Sequence, residues 1–251
     1  MKKIVIIGAS SGIGLQTAAD FAAMGWRVGM AARRTEPMKA LKEAYPQNIE
    51  YAAIDVEAED APRRLGDLIE AIDGMDVLLF ASGIGFSDPE LNDAKLTNTL
   101  QVNVVGFARI LAYAYKYFRD TANVSAGQIA AITSVAGTKG LGVAAGYSAS
   151  KRFQQQFIDA LDQLAHIQHV NVKFTDIRPG FVRTALLRDD RDYPMIMSVE
   201  EAALCVRHAI LKQKRVSTVD SRWRIVNALW RMIPRCVWTH LNVDLNTQKP
   251  N

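Results

Sequence analysis

Cysteine is nearly absent: Cys205 and Cys236 are the two in 251 residues, and they stand in unrelated contexts. No metal-ligand spacing or redox pair can be built from them, so a reducing cytoplasm is the natural setting. Long apolar runs are lacking as well. No stretch approaches the ~20 residues that a bilayer-spanning helix requires. The opening MKKIVIIG has a leader's two lysines and apolar run, but the run stops at Ile7, too short for a leader's core. It reads instead as a buried strand. Internal repeats, low-complexity linkers and nucleic-acid-binding motifs are missing too, so no nucleic-acid partner is expected. The net charge of +4 is unevenly spread. Residues 1–206 carry 21 Lys and Arg against 24 Asp and Glu, whereas residues 207–251 carry 9 against 2. The basic excess belongs to the tail.

What is present is an alternation of short apolar runs with helical spacing. Strands are expected at 2–8, 27–32, 49–56, 76–82, 127–134, 170–177 and 216–220. Most are nearly continuous in apolar character, as strands covered on both faces are. Between them Leu15, Ala18, Ala19 and Ala22 form one helical face. Val102, Val105, Ile110, Leu111 and Ala114 form a second, and Phe153, Phe157, Leu161 and Leu164 a third. This pattern predicts an α/β fold: a Rossmann-like, doubly wound parallel sheet of about seven strands with helices on both faces, in a single domain. Residues 1–190 are assigned to its core, and 185–251 to a lid and a C-terminal helical extension of the same domain.

GASSGIG lies between the first strand and the first helix, with glycines at 8, 12 and 14. Gly8 permits a sharp turn off the strand. Gly12 and Gly14 leave room for a pyrophosphate, and the N–H groups around Ser10, Ser11 and Ile13 at the helix start face such an anion. Selection between dinucleotides falls at the end of the second strand, where an acid would bond a ribose 2′-hydroxyl. MAARRTE places Arg33 and Arg34 there instead, which points to NADP(H) over NAD(H). Asp55, with Val56 after it, closes the third strand; its carboxylate either bonds an adenine amino group or caps the following helix.

In AAGYSASKRFQQQF, Tyr147 precedes Lys151 by one helical turn, so the two side chains are neighbours. An ordinary tyrosine, with a pKa of about 10, exchanges protons poorly at neutral pH. A nearby ammonium favours the phenolate and should lower that value. Ser134 ends the strand IAAITS, thirteen residues before Tyr147. A strand end followed by a loop and a helix brings its hydroxyl to the phenol. The three suit proton exchange with a carbonyl or alcohol oxygen while a hydride moves at the adjacent carbon.

Taken together, GASSGIG, Asp55, Asn103 in QVNVVG, Ser134, YSASK and IRPGFVRT resemble the classical short-chain dehydrogenases/reductases over about residues 3–185. The resemblance implies a Ser134–Tyr147–Lys151 centre, with Asn103 positioning a water that connects Lys151 to solvent. It implies that Lys151 bonds the nicotinamide ribose and that Pro179, Gly180, Val182 and Thr184 line the nicotinamide side. It further implies a homodimer or homotetramer paired through helices near 97–118 and 148–166. One departure stands out. The family's N-N-A-G after the fourth strand is here Phe80-Ala81-Ser82-Gly83. Gly83 still lets the backbone pass the adenosine ribose, but the missing asparagine bonds need another source, for which Ser82 is a candidate.

The expected partner is a small carbonyl or alcohol substrate, apolar and lipid- or acyl-like. The cover of its pocket is placed at 185–198, where Arg188 and Arg191 either meet an acidic substrate or stay solvated. In SRWRIVNALWRMIPRCVWTH, Trp223, Val226, Trp230, Ile233 and Val237 recur at helical spacing among Arg222, Arg224, Arg231 and Arg235. Packing of this stripe on the domain is the favoured reading; peripheral contact with an anionic membrane surface is the alternative. Pro234 should end that helix after about three turns. A second function, a catalytically silent NADP-binding regulator of the same fold, is countered by the intact Ser, Tyr and Lys.

Overall fold

The computed structural model describes residues 1–121, 126–187 and 193–243. Aliphatic runs form the strands β1 (Lys3–Ile7), β2 (Arg27–Ala32), β3 (Ile49–Ala53), β4 (Val77–Phe80), β5 (Gly127–Ile132), β6 (Val172–Arg178) and β7 (Val216–Thr218). They pair in the order β3-β2-β1-β4-β5-β6-β7, every pair parallel. Alternation along each strand feeds two cores. Ile4 and Ile6 of β1 face one layer, where Phe21 of α1 (Gly12–Ala23), Met38 of α2 (Glu36–Ala44) and Val206 of α7 (Val199–Leu211) pack. Val5 and Ile7 face the other, filled by Leu65 of α3 (Ala61–Ala71), Ile110 of α5 (Phe107–Asp120) and Ile158 of α6 (Ala145–Ile167). Helices on both faces explain why β1, β2, β4 and β5 are buried on both sides.

The crossover direction reverses between β1 and β4, and a crevice opens there outside the carboxyl ends of the strands. The helix expected over 97–118 begins earlier and is not uniform. α4 (Asp93–Leu100) passes into a π-helical stretch, Gln101–Gly106, and then into α5. Gly106 lies against β3's exit, where an added Cβ would come within 2.8 Å of the Val56 carbonyl oxygen. The wider turn carries Asn103 inward.

After α7, whose first turn is closed by a reciprocal Ser198–Glu201 capping box, the chain forms α8 (Ser221–Met232) and α9 (Arg235–Trp238). Pro234 separates the last two, as its missing N–H requires. The break resets the helical phase. Trp223, Asn227 and Trp238 are buried, whereas Val237, expected on the packed face, is 47% exposed. Packing on the domain is what these helices do: Trp238 Nε1 donates to the Gly140 carbonyl at 2.7 Å, Lys139 Nζ donates to the Ile233 carbonyl at 2.8 Å, and Thr138 bonds Asn227. Ile225, Leu229 and Met232 remain exposed on the outer side of α8. Among the described residues, no helix is long and apolar enough to cross a membrane.

Candidate active site

A cleft of about 630 Å³ runs along the carboxyl edge of the sheet. One end is built by the β1–α1 turn. Gly8 takes φ +89°, a conformation costly for any other residue, and a Cβ there would approach Ser82 N to 2.5 Å. Gly14 lets α1 pack on that turn: a Cβ would stand 2.3 Å from the Gly8 carbonyl oxygen. The first N–H groups of α1 have no intrahelical partner, and Ser10, Ser11, Gly12 and Ile13 line the cleft. Arg33, Arg34, Asp55 and Val56 line the same end. Asp55 accepts from Glu57 N at 3.1 Å, so its carboxylate does cap a turn while remaining beside the cleft. Glu57, which sequence reasoning missed, reaches Arg33 at 3.6 Å. Arg34 has no carboxylate partner among the described residues.

Ala81, Ser82 and Gly83 form the floor between this end and the other. The Ser82 hydroxyl makes no hydrogen bond among the described residues, so it does not replace the family's asparagines. Asn103 does. Fully buried, its side chain donates to the Ile84 carbonyl at 2.7 Å and to Ser150 Oγ at 3.0 Å, and accepts from Ile84 N at 3.0 Å. Both backbone groups of Ile84 are thereby held by one side chain.

At the far end, Ser134, Tyr147 and Lys151 come together. Ser134 Oγ accepts from Ala136 N at 3.1 Å and leans on the Pro179 carbonyl at 3.4 Å. The loop after Gly83 passes flat against Tyr147: a Cβ on Gly85 would meet the ring at 2.4 Å. Lys151 Nζ lies 5.7 Å from the Tyr147 ring centroid and donates to the Ile132 carbonyl at 3.2 Å and to Gln154 Oε1 at 3.0 Å. Burial pulls Lys151 down to about 8, while the charge of Asp176 on β6 resists. Burial likewise pushes the Tyr147 phenol up, opposed by the Ser134 hydroxyl. The expectation that the ammonium lowers the phenol is therefore corrected. Burial is the larger influence on the phenol, and the Ser134 hydroxyl, not the ammonium, is what opposes it.

Gln154 completes the cluster. Its Nε2 donates to the Asn103 carbonyl at 2.9 Å, so the amide spans the gap where the resemblance implies a water. Neither Gln154 nor Asp176 was foreseen. Asp176 left a signal, an Asp and an Arg two apart inside an apolar strand; they pair at 2.7 Å in the core. Gln154 left none.

The remaining expected residues also gather here. Pro179, Gly180, Val182 and Thr184 line the cleft, with Thr184 Cγ2 3.2 Å from where a Cβ on Gly12 would lie. Gly180 makes room for the Trp223 indole, which a Cβ would meet at 2.1 Å. Phe86, Leu141, Val143, Phe181, Trp223 and Trp230 form the wall beyond Tyr147. Of the proposed cover, residues 188–192 with Arg188 and Arg191 lie outside the described residues.

A parallel sheet in this strand order, with a glycine turn at one end of its crevice and a Ser–Tyr–Lys cluster at the other, defines a dinucleotide-type fold with a candidate acid–base site. The chain belongs to the short-chain dehydrogenase family, a family of oxidoreductases, whose model matches residues 2–194. It is 32% identical over 246 residues to an uncharacterized oxidoreductase of Mycobacterium tuberculosis, covering 93% of this chain and 95% of that one. It is 29% identical over 187 residues to sulfoacetaldehyde reductase 2 of Chromohalobacter salexigens, covering 72% and 73%. Among solved structures, an alcohol dehydrogenase from the archaeon Thermococcus sibiricus complexed with 5-hydroxy-NADP superposes with a TM-score of 0.73 at 25% identity, covering 87% of this chain and 94% of that one. ElxO with NADP bound gives 0.76 at 22%, covering 89% and 99%.

Proposed function

We propose that this protein is an NADP(H)-dependent carbonyl reductase acting on small apolar ketones or aldehydes, with Tyr147 as proton donor. The cleft fits a dinucleotide on its own terms. Helix N–H groups at the glycine turn can take a pyrophosphate, Arg33 and Arg34 at the same end support binding of a 2′-phosphate, and the volume suits a cofactor. A nicotinamide dinucleotide held there by the glycine turn, Asp55, Gly83 and Thr184 would supply a hydride for the carbonyl carbon. Ser134 and Tyr147 hold the carbonyl oxygen, and the Tyr147 phenol gives it a proton, so that C=O becomes CH–OH. The observation that carries this reading is that Ser134, Tyr147 and Lys151 line one end of the cleft, with Lys151 Nζ 5.7 Å from the Tyr147 ring. The phenol is protonated at neutral pH, the form a donor must have at the start of a reduction. Lys151 then stands beside the phenolate that remains. Beyond Tyr147, no described residue of the wall is charged, which favours an uncharged, apolar substrate.

The test is Tyr147→Phe, assayed by NADPH absorbance against a panel of ketones and aldehydes. Turnover should fall by about 10²–10⁴-fold, the worth of a positioned proton donor. The NADPH dissociation constant should stay within about threefold. A variant that reduces the panel at the parent rate would remove Tyr147 from its role.

A further inference from the structure

From the contacts of its side chain, we infer that Gln154 is the positioning residue for Lys151, its amide standing in for a bridging water between Lys151 and the Asn103 carbonyl. The inference rests on the reading of Tyr147 and Lys151 as the reacting pair. Gln154 is completely buried, and both ends of its amide are engaged. Chemistry settles the orientation of that amide. An ammonium can only donate and a carbonyl only accept, so Oε1 must face Lys151 and Nε2 must face Asn103. The Asn103 carbonyl is itself fixed, because the Asn103 side chain is clasped to Ile84 and Ser150. A chain of rigid contacts therefore runs from the floor of the cleft to the ammonium.

Two consequences follow for Lys151. Its Nζ is held by Ile132 and Gln154, which fixes where its third N–H points. Moreover, a water in this gap could exchange protons with its neighbours, whereas an amide cannot readily do so. Proton traffic at Lys151 is thus confined to its cleft side. The other groups that bear on it are Tyr147 on the same helix and Asp176 on β6, whose charge is shared with Arg178.

The experiment compares the parent with Gln154→Met and Gln154→Ala. In lysine-labelled protein, the Lys151 Cε resonance is followed against pH by NMR, which needs neither cofactor nor turnover. The kcat for the best carbonyl of the panel is measured beside it. Methionine fills the space but offers no strong acceptor. It should lower the Lys151 midpoint by about one unit, tenfold in the protonation equilibrium or about 1.4 kcal/mol, and cut kcat about tenfold at near-constant NADPH affinity. Alanine leaves space for water and should return both readouts to within about threefold of the parent. A packing role alone predicts the reverse order, because volume-conserving swaps are tolerated better than truncations. A parent-like Met variant, or an Ala variant worse than Met, would overturn the inference; Gln154→Leu replaces Met if the latter does not fold. A parent inactive on every carbonyl would instead count against the proposed function, with the NMR midpoints still judging Gln154.

Discussion

Lys151 is 4% exposed, and the folded protein gives up its proton near pH 8 whereas an ordinary lysine holds it to about 10.5. Below pH 8 the ammonium is charged in both folded and unfolded chains, and the folded state bears the whole cost of burying it. Between the two values the unfolded chain binds more protons, so this group's contribution to stability rises with pH. At ~1.4 kcal/mol per unit the interval is worth about 3 kcal/mol. The thermal midpoint of the parent relative to Lys151→Met should accordingly climb by roughly 5–10 °C between pH 7 and pH 10.5. Differential scanning calorimetry checks this, and a flat difference would mean that the ammonium is better solvated than its burial implies. The same helix shows what the amino-acid pattern can and cannot disclose. Tyr147 and Lys151 are legible because their spacing carries chemistry. Ser150, Gln154 and Gln155 are buried on the face that packs inward. A search for apolar periodicity passes over them and finds Phe153 and Phe157 instead, which are only partly covered.

Strands were the easiest elements to read. Cover on both faces made most of them nearly continuous apolar runs, and all seven expected segments formed strands within a few residues of their expected bounds. Helices were less transparent. A π-helical stretch inside 93–120 changes no residue type that periodicity detects, and the phase shift after Pro234 exchanges Val237 for Trp238 in the packed face. Yet the π-helical stretch matters most for the site, because it aims Asn103 at Ile84. Asn103→Ala should leave both backbone groups of Ile84 without their partner and cost roughly 2–4 kcal/mol. In urea denaturation the midpoint should drop with the slope unchanged. A loss below about 0.5 kcal/mol would show that the turn is held by something else.

At the scale of the molecule, cofactor and substrate walls meet along one rim of the sheet, so a ligand there ties β1, β2, β4, β5 and β6 together. Binding to the folded state alone stabilises by about 2.7 kcal/mol at a hundredfold excess over the dissociation constant. Saturating NADPH should therefore raise the melting temperature by roughly 5–10 °C. NADH at the same concentration should raise it by less, because Arg34 has no 2′-phosphate to meet. Equal shifts would show that Glu57 and solvent already satisfy the arginine pair, and would withdraw the preference for NADP(H). The parallel sheet has a further consequence for handling the protein. Lys3 opens β1 at the opposite rim, while Val243 packs in the same apolar cluster as Tyr147 and Trp230. A purification tag or immobilising surface joined ahead of residue 1 leaves from the remote rim and keeps the mouth clear. One attached at the carboxyl end is joined, through residues 244–251, to a segment that packs beside Tyr147, and should slow substrate entry in proportion to its bulk.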